Sequence, residues 1–195
     1  MNIIFWNIGK FGRDNKYLLR KGHLIRELIR SEKPDIICFS EGTPSKKHEI
    51  LLKKLLEIEH YYPFYHPSMV LDQDGFEFSS FEPFGLKVFL SSEKNNIQLD
   101  TTSVLFKGRL IRMNIGDFLL IFIHRNQSAS NHDQNEFISQ IKTWVRKRLK
   151  DKIKSAFIVG DFNLKVWDEH YFSENSNYLR SSFLKQLYDL RMRTK

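Results

Sequence analysis

A single cysteine, Cys38, leaves the chain no partner for a disulfide, which excludes a small cross-linked scaffold and fits a reducing compartment. Set inside the run Ile36-Ile37-Cys38-Phe39-Ser40, that thiol reads as core rather than as a nucleophile. Long apolar runs are missing too. No stretch approaches the roughly 20 residues that a membrane span requires, and no basic segment leads into a signal-like apolar stretch. The expectation is therefore a soluble, cytoplasmic protein with no membrane span. Acidic residues are the minority, 23 against 31 Lys and Arg, for a net charge of +8 and a pI near 9.5. A positive surface gathers and steers polyanions, which favours nucleic acid over a neutral substrate but excludes nothing phosphorylated. What remains, 195 residues of which 41% are hydrophobic, suits one domain with a real core.

The stretch around which the chain is organised is Ser155-Ala-Phe-Ile-Val-Gly-Asp-Phe-Asn163. Its apolar part predicts a buried strand, and Asp161 and Asn163, two residues apart, would share a face at the strand's end. Gly160 lets the backbone turn there or come close to a ligand. Ligands of α/β proteins bind at such strand ends. The same residues also fit a strand followed by an Asx-turn, with both side chains capping backbone groups. Two other runs repeat the figure: Ile3-Ile4-Phe5-Trp6 ends in Asn7, and Ile36 to Ser40 ends in Glu41. Three buried strands could thus collect Asn7, Glu41, Asp161 and Asn163 into one pocket of oxygen ligands. Such a set with few carboxylates suits magnesium, which keeps several waters and leans on substrate phosphate.

Trp6-Asn7, Pro34-Asp35-Ile36-Ile37-Cys38-Phe39-Ser40-Glu41, Ile121-Phe122-Ile123-His124 and Val159-Gly160-Asp161-Phe162-Asn163 follow one another in the order of a known family. In these motifs, which span most of the chain, it resembles the endonuclease/exonuclease/phosphatase superfamily, the metal-dependent phosphoesterases similar to deoxyribonuclease I and the exonuclease III class. The resemblance implies an α/β sandwich, two mixed sheets packed face to face with helices on the outer faces. It implies Mg2+ (or Mn2+) at Glu41, with Asn7 and Asp161 as further metal-site residues. Asp161 would orient or deprotonate the attacking water, and His124 and Asn163 would hold phosphate oxygens. Read alone, His124 equally fits a structural histidine at a strand end. Arg125 and Asn126, in the same loop, are substrate-binding candidates.

Between the motifs, Leu18, Leu19, Ile25, Leu28 and Ile29 predict a helix ending near Ser31 to Pro34, with Arg20, Lys21, Arg26 and Arg30 facing solvent. Pro44 and Ser45 open a second helix, with Ile50, Leu51, Leu55, Leu56 and Ile58 as its apolar side. Tyr61 to His66 reads as a strand, and a polar loop follows from Asp72 to Pro83. Phe76, Phe78, Phe81 and Phe84 in and beside it either stack bases or tuck the loop onto the core. A meander is expected from Leu86 to Leu90, Ile97 to Phe106, Leu110 to Ile115 and Phe118 to His124, with Gly116-Asp117 as a two-residue hairpin turn. A basic-faced helix starts at Asn131 or His132 and buries Phe137, Ile138, Ile141, Trp144, Val145 and Leu149. Its Lys and Arg gather toward the C-terminus, where they suit the helix dipole.

Beyond Asn163 only Leu164 to Lys195 remain, and Tyr178 to Leu190 reads as a last amphipathic helix. The late Ser-Asp-His motif of the family is missing, and His170 precedes the final helix rather than following further strands. The single domain, 1–195, is thus expected to lack C-terminal strands and to leave a sheet edge for a second copy or a partner chain to complete. The leading functional expectation is a metal-dependent phosphodiester hydrolase, a nuclease on DNA or RNA. One alternative is a phosphatase or phosphodiesterase on a small phosphoester or lipid headgroup; another is a catalytically impaired nucleic-acid-binding module.

Overall fold

The computed structural model describes residues 1–9, 15–41, 46–65, 85–93, 99–106, 108–125, 131–150 and 155–161. The apolar runs form strands where their composition demands it. β1 (Ile3–Asn7) is followed by helix α1 (Asn15–Glu32) and β2 (Ile36–Ser40), and α2 (Lys46–Ile58) leads to β3 (Tyr61–Tyr65) and β4 (Lys87–Ser91). β5 (Leu99–Leu105), β6 (Leu110–Ile115) and β7 (Phe118–His124) come next, then α3 (Asn131–Lys150) and β8 (Ser155–Asp161). One sheet has the order β1-β2-β4-β3 and the other β5-β6-β7-β8. In each sheet one parallel pair, β1 with β2 and β7 with β8, is joined across a helix, and the remaining pairs are antiparallel. The expected pair of mixed sheets is what forms.

Three apolar layers hold this arrangement. Between the sheets, Ile36, Cys38 and Val88 meet Ile111, Met113, Leu120 and Phe122, and the rings of Phe5 and Phe122 stack at 6.5 Å. On one outer face Ile25 and Ile29 of α1 and Leu52 and Leu56 of α2 cover Ile37, Phe39 and Phe89. On the other, Phe137, Ile141, Trp144 and Val145 of α3 cover Leu110, Leu119, Ile121 and Ile123. β2 and β7 are covered on both faces, which is why they read as continuous apolar runs rather than as alternations. Cys38 is fully buried, and burial pushes its thiol well above the usual range, as suits a core residue. Among the described residues no helix is long and apolar enough to cross a membrane.

Several elements depart from expectation. β4 is not the first strand of the meander; it lies between β2 and β3, with Val88 facing the inter-sheet core and Phe89 facing the helices. The meander is β5 to β7, and Gly116, at φ 51°, makes its tight turn. Helix α2 is rotated from the expected stripe: Leu52 and Leu56 are buried, while Ile50, Leu51 and Ile58 are exposed. Likewise Leu19 of α1 is exposed. β8 is the outermost strand of its sheet among the described residues. The expected Tyr178–Leu190 helix, His170 and the phenylalanines at 76, 78, 81 and 84 lie outside the described residues.

The buried face of α2 also carries a charged residue. Glu49 turns inward with Leu52 and Leu56, and its Oε1 lies 4.0 Å from Nζ of Lys87, both side chains being buried. The ammonium also donates to the carbonyl of Gly85 at 3.1 Å. Removing one member of a buried pair strands the other charge in low dielectric, so Lys87→Met should cost about 3–5 kcal/mol of unfolding free energy. Adding Glu49→Leu should recover most of that loss, since the stranded carboxylate is then gone. Urea titrations of the two variants measure both effects.

Candidate metal centre

Side chains alternate along a strand, so each inward row of the sandwich can be followed to its end. On β1 the row is Ile3, Phe5 and then Asn7; on β2 it is Ile36, Cys38 and then Ser40. On β7 it is Leu120, Phe122 and then His124; on β8, Val159 and then Asp161. All four rows turn polar at the same end. Asn7 is level with Ser40 across one parallel pair, and His124 is level with Asp161 across the other. The sheets are tied together there, because Asn7 Nδ2 donates to Asp161 Oδ2 at 2.7 Å.

Glu41 follows Ser40, and an extended backbone would send it to the helix side after Phe39. It does not go there. Its φ of 57° puts the residue in the left-handed region, where a non-glycine residue pays a conformational cost that functional sites commonly retain. Its Oε1 comes to 3.5 Å from Nε2 of the buried His124. Glu41, His124 and Asp161 each offer a ligand atom, and these atoms lie within 4.8 Å of one another. Two carboxylates so close repel unless a positive charge sits with them. One hydroxyl in this layer also lacks a partner. Ser40 Oγ is fully buried with no hydrogen-bond partner among the described residues, although it completes the inward row beside Asn7. Oxygen-rich donors and a spare buried hydroxyl fit a hydrated divalent cation.

The surroundings fix these groups in place. Gly160 has no side chain because none fits: a Cβ there would stand 2.0 Å from the carbonyl oxygen of Ile123. The close approach is thus to the neighbouring strand, not to a ligand. The Arg125 N–H donates to the Asp161 carbonyl at 2.9 Å, and the His124 N–H donates to the Arg109 carbonyl at 2.8 Å. Burial draws the Arg125 guanidinium below its ordinary value.

The structure therefore brings Asn7, Glu41, His124 and Asp161 together, with Arg125 beside them. Asn126 and Asn163 lie outside the described residues. Two residues of this neighbourhood escaped the sequence reading. Ser40 was absorbed into an apolar run, although counting by twos from Cys38 would have found it. Lys21, expected to face solvent, instead donates to the carbonyls of Ile8 and Gly9.

The family model of the Endonuclease/Exonuclease/phosphatase family matches residues 4–194. The chain belongs to that family. Three solved structures that it resembles are distant in sequence. The 3' phosphatase NExo from Neisseria, bound to a product DNA hairpin, is 12% identical at a TM-score of 0.61, over 97% of this chain and 71% of its own. A humanized TDP2 from D. rerio is 16% identical at a TM-score of 0.52, over 85% of this chain and 67% of its own. An AP endonuclease from Archaeoglobus fulgidus is 16% identical at a TM-score of 0.51, over 96% of this chain and 70% of its own. At such identities these likenesses show the fold of the Endonuclease/Exonuclease/phosphatase family. Among curated proteins none matches the sequence.

Proposed function

We propose that the chain hydrolyses phosphoester bonds with a divalent cation, Mg2+ or Mn2+, and that its substrate is a nucleic acid. The observation that carries this reading is the convergence of Glu41, His124, Asp161 and Asn7 at the polar end of the inter-sheet core. Glu41 and Asp161 would hold the ion, with Asn7 supporting Asp161. When bound, the ion would neutralise charge building on the phosphoryl oxygens. Asp161, kept in orientation by the Asn7 amide, orients or deprotonates the attacking water. His124 donates a hydrogen bond to a non-bridging phosphate oxygen, a role shared with Asn163. Arg125 and Asn126 contact the flanking phosphate.

The net charge of +8 favours a polyanionic substrate over a small neutral one. Relatives that are a DNA 3' phosphatase and an AP endonuclease support DNA ends and backbones as the first substrates to test. Purified chain should cut plasmid or oligonucleotide, or release phosphate from a 3'-phosphorylated oligonucleotide, in Mg2+ or Mn2+. Chelator should stop the reaction and added ion should restore it. Salt-sensitive DNA binding with no metal-dependent turnover would overturn the hydrolase and leave a binding module.

A further inference from the structure

We propose that Lys21 is a positioning residue of this centre, acting through the Ile8-Gly9 turn on Asn7 and through Asn7 on Asp161. The inference rests on the hydrolytic reading for its consequence but not for its geometry. Lys21 sits in α1, and its Nζ donates to the carbonyl of Ile8 and, at 3.2 Å, to that of Gly9. The Gly9 N–H donates in turn to Asn7 Oδ1 at 3.0 Å, and Asn7 Nδ2 donates to Asp161 Oδ2 at 2.7 Å. Four groups are thus linked in series from a helix to a metal-site carboxylate.

A plainly structural role for Lys21 explains less. Ile8 is held without it, since its side chain is buried among Ile25, Ile29 and Phe39 and its N–H donates to the Ser40 carbonyl. What the lysine adds is a hold on the Gly9 peptide, which turns at φ 47°. That peptide decides which end of the Asn7 amide faces the carboxylate. With Oδ1 engaged by the Gly9 N–H, the donor end must point to Asp161; a flipped amide would set oxygen against oxygen. Burial draws the Lys21 ammonium below its ordinary value, so the side chain gives up hydration to make these bonds.

The test compares Lys21→Met, which keeps the apolar stem, with Lys21→Arg, which keeps the charge and the donors. In Lys21→Met the side-chain amide protons of Asn7 should exchange with solvent faster than in wild type by NMR, with their resonance identified by its loss in Asn7→Ala. Turnover number should fall by about tenfold with KM unchanged, as for loss of a group that orients a ligand. Lys21→Arg should restore both. Unaltered Asn7 exchange in Lys21→Met, or loss of turnover through KM alone, would overturn the proposal. If Lys21→Met does not fold, Lys21→Gln is read in its place against the same criteria. Wild-type protein without metal-dependent turnover would sink the hydrolase reading, and Asn7 exchange would still decide the role of Lys21.

Discussion

Glu41→Ala should lose metal-dependent turnover by on the order of 10³-fold or more, the scale on which electrostatic groups at a reacting centre act, while remaining folded. The two halves of this expectation have separate causes. The carboxylate is one of two acidic groups in the cluster with His124 and Asp161, so its removal takes away half of the negative charge that would retain a cation. The cost in stability, in contrast, should be small, since the contact with His124 is offset by two unfavourable features. Glu41 lies at φ 57°, a conformation that costs a residue with a Cβ roughly 1 kcal/mol, and its carboxylate adds repulsion against Asp161. Glu41→Gly should therefore be as inactive as Glu41→Ala but more stable than that variant by about 1 kcal/mol. Thermal melts and oligonucleotide cleavage on the same preparations test both halves. Cleavage retained by either variant would remove Glu41 from the site, and a loss of several kcal/mol in Glu41→Gly would make its backbone a structural feature.

How much of this could be read from residues alone depends on where the information lies. The buried strands declared themselves, since a strand covered on both faces must be apolar throughout, and the polar residues closing the runs, Asn7, Glu41, His124 and Asp161, were visible as interruptions. The repeated figure of an apolar run with a polar tip suggested that Asn7, Glu41 and Asp161 converge, but the part of His124 came only from the resemblance, because nothing local says that β1 and β8, in different sheets, meet at their ends. The phase of α2 is hard to read because its hydrophobic residues outnumber the positions its face can bury, and the buried face includes Glu49 beside Lys87 as well as Leu52 and Leu56. Ser40 and Lys21 were hidden for opposite reasons. A small hydroxyl disappears in an apolar run, and a lysine on an amphipathic helix looks like solvated surface until the turn it reaches is known.

Gly160→Ala should be among the most damaging single-atom additions to the described part of the fold. The added Cβ would meet the oxygen of Ile123 at 2.0 Å and its carbonyl carbon and nitrogen at 2.8 Å each. A clash with a side chain is relieved by a rotamer, but these are backbone atoms of a strand held between β6 and β8. Relief requires β8 to move from β7. That movement breaks the register in which His124 faces Asp161 and the bond from the Arg125 N–H to the Asp161 carbonyl. Overpacking costs about 1–3 kcal/mol where side chains can yield, occasionally more, and here the expectation is about 3 kcal/mol or more, a large part of the roughly 5–15 kcal/mol that holds a domain folded. Gly9→Ala is the internal comparison. Its added carbon meets nothing within 4 Å among the described residues, so it should cost only the roughly 1 kcal/mol of a left-handed alanine. Where Gly160→Ala still folds, its turnover should fall with its stability, because the strand that moves carries Asp161. Equal melting temperatures for the two variants would mean that β8 does not lie against β7 at this level, and the pairing that brings Asp161 to His124 would have to be abandoned with it.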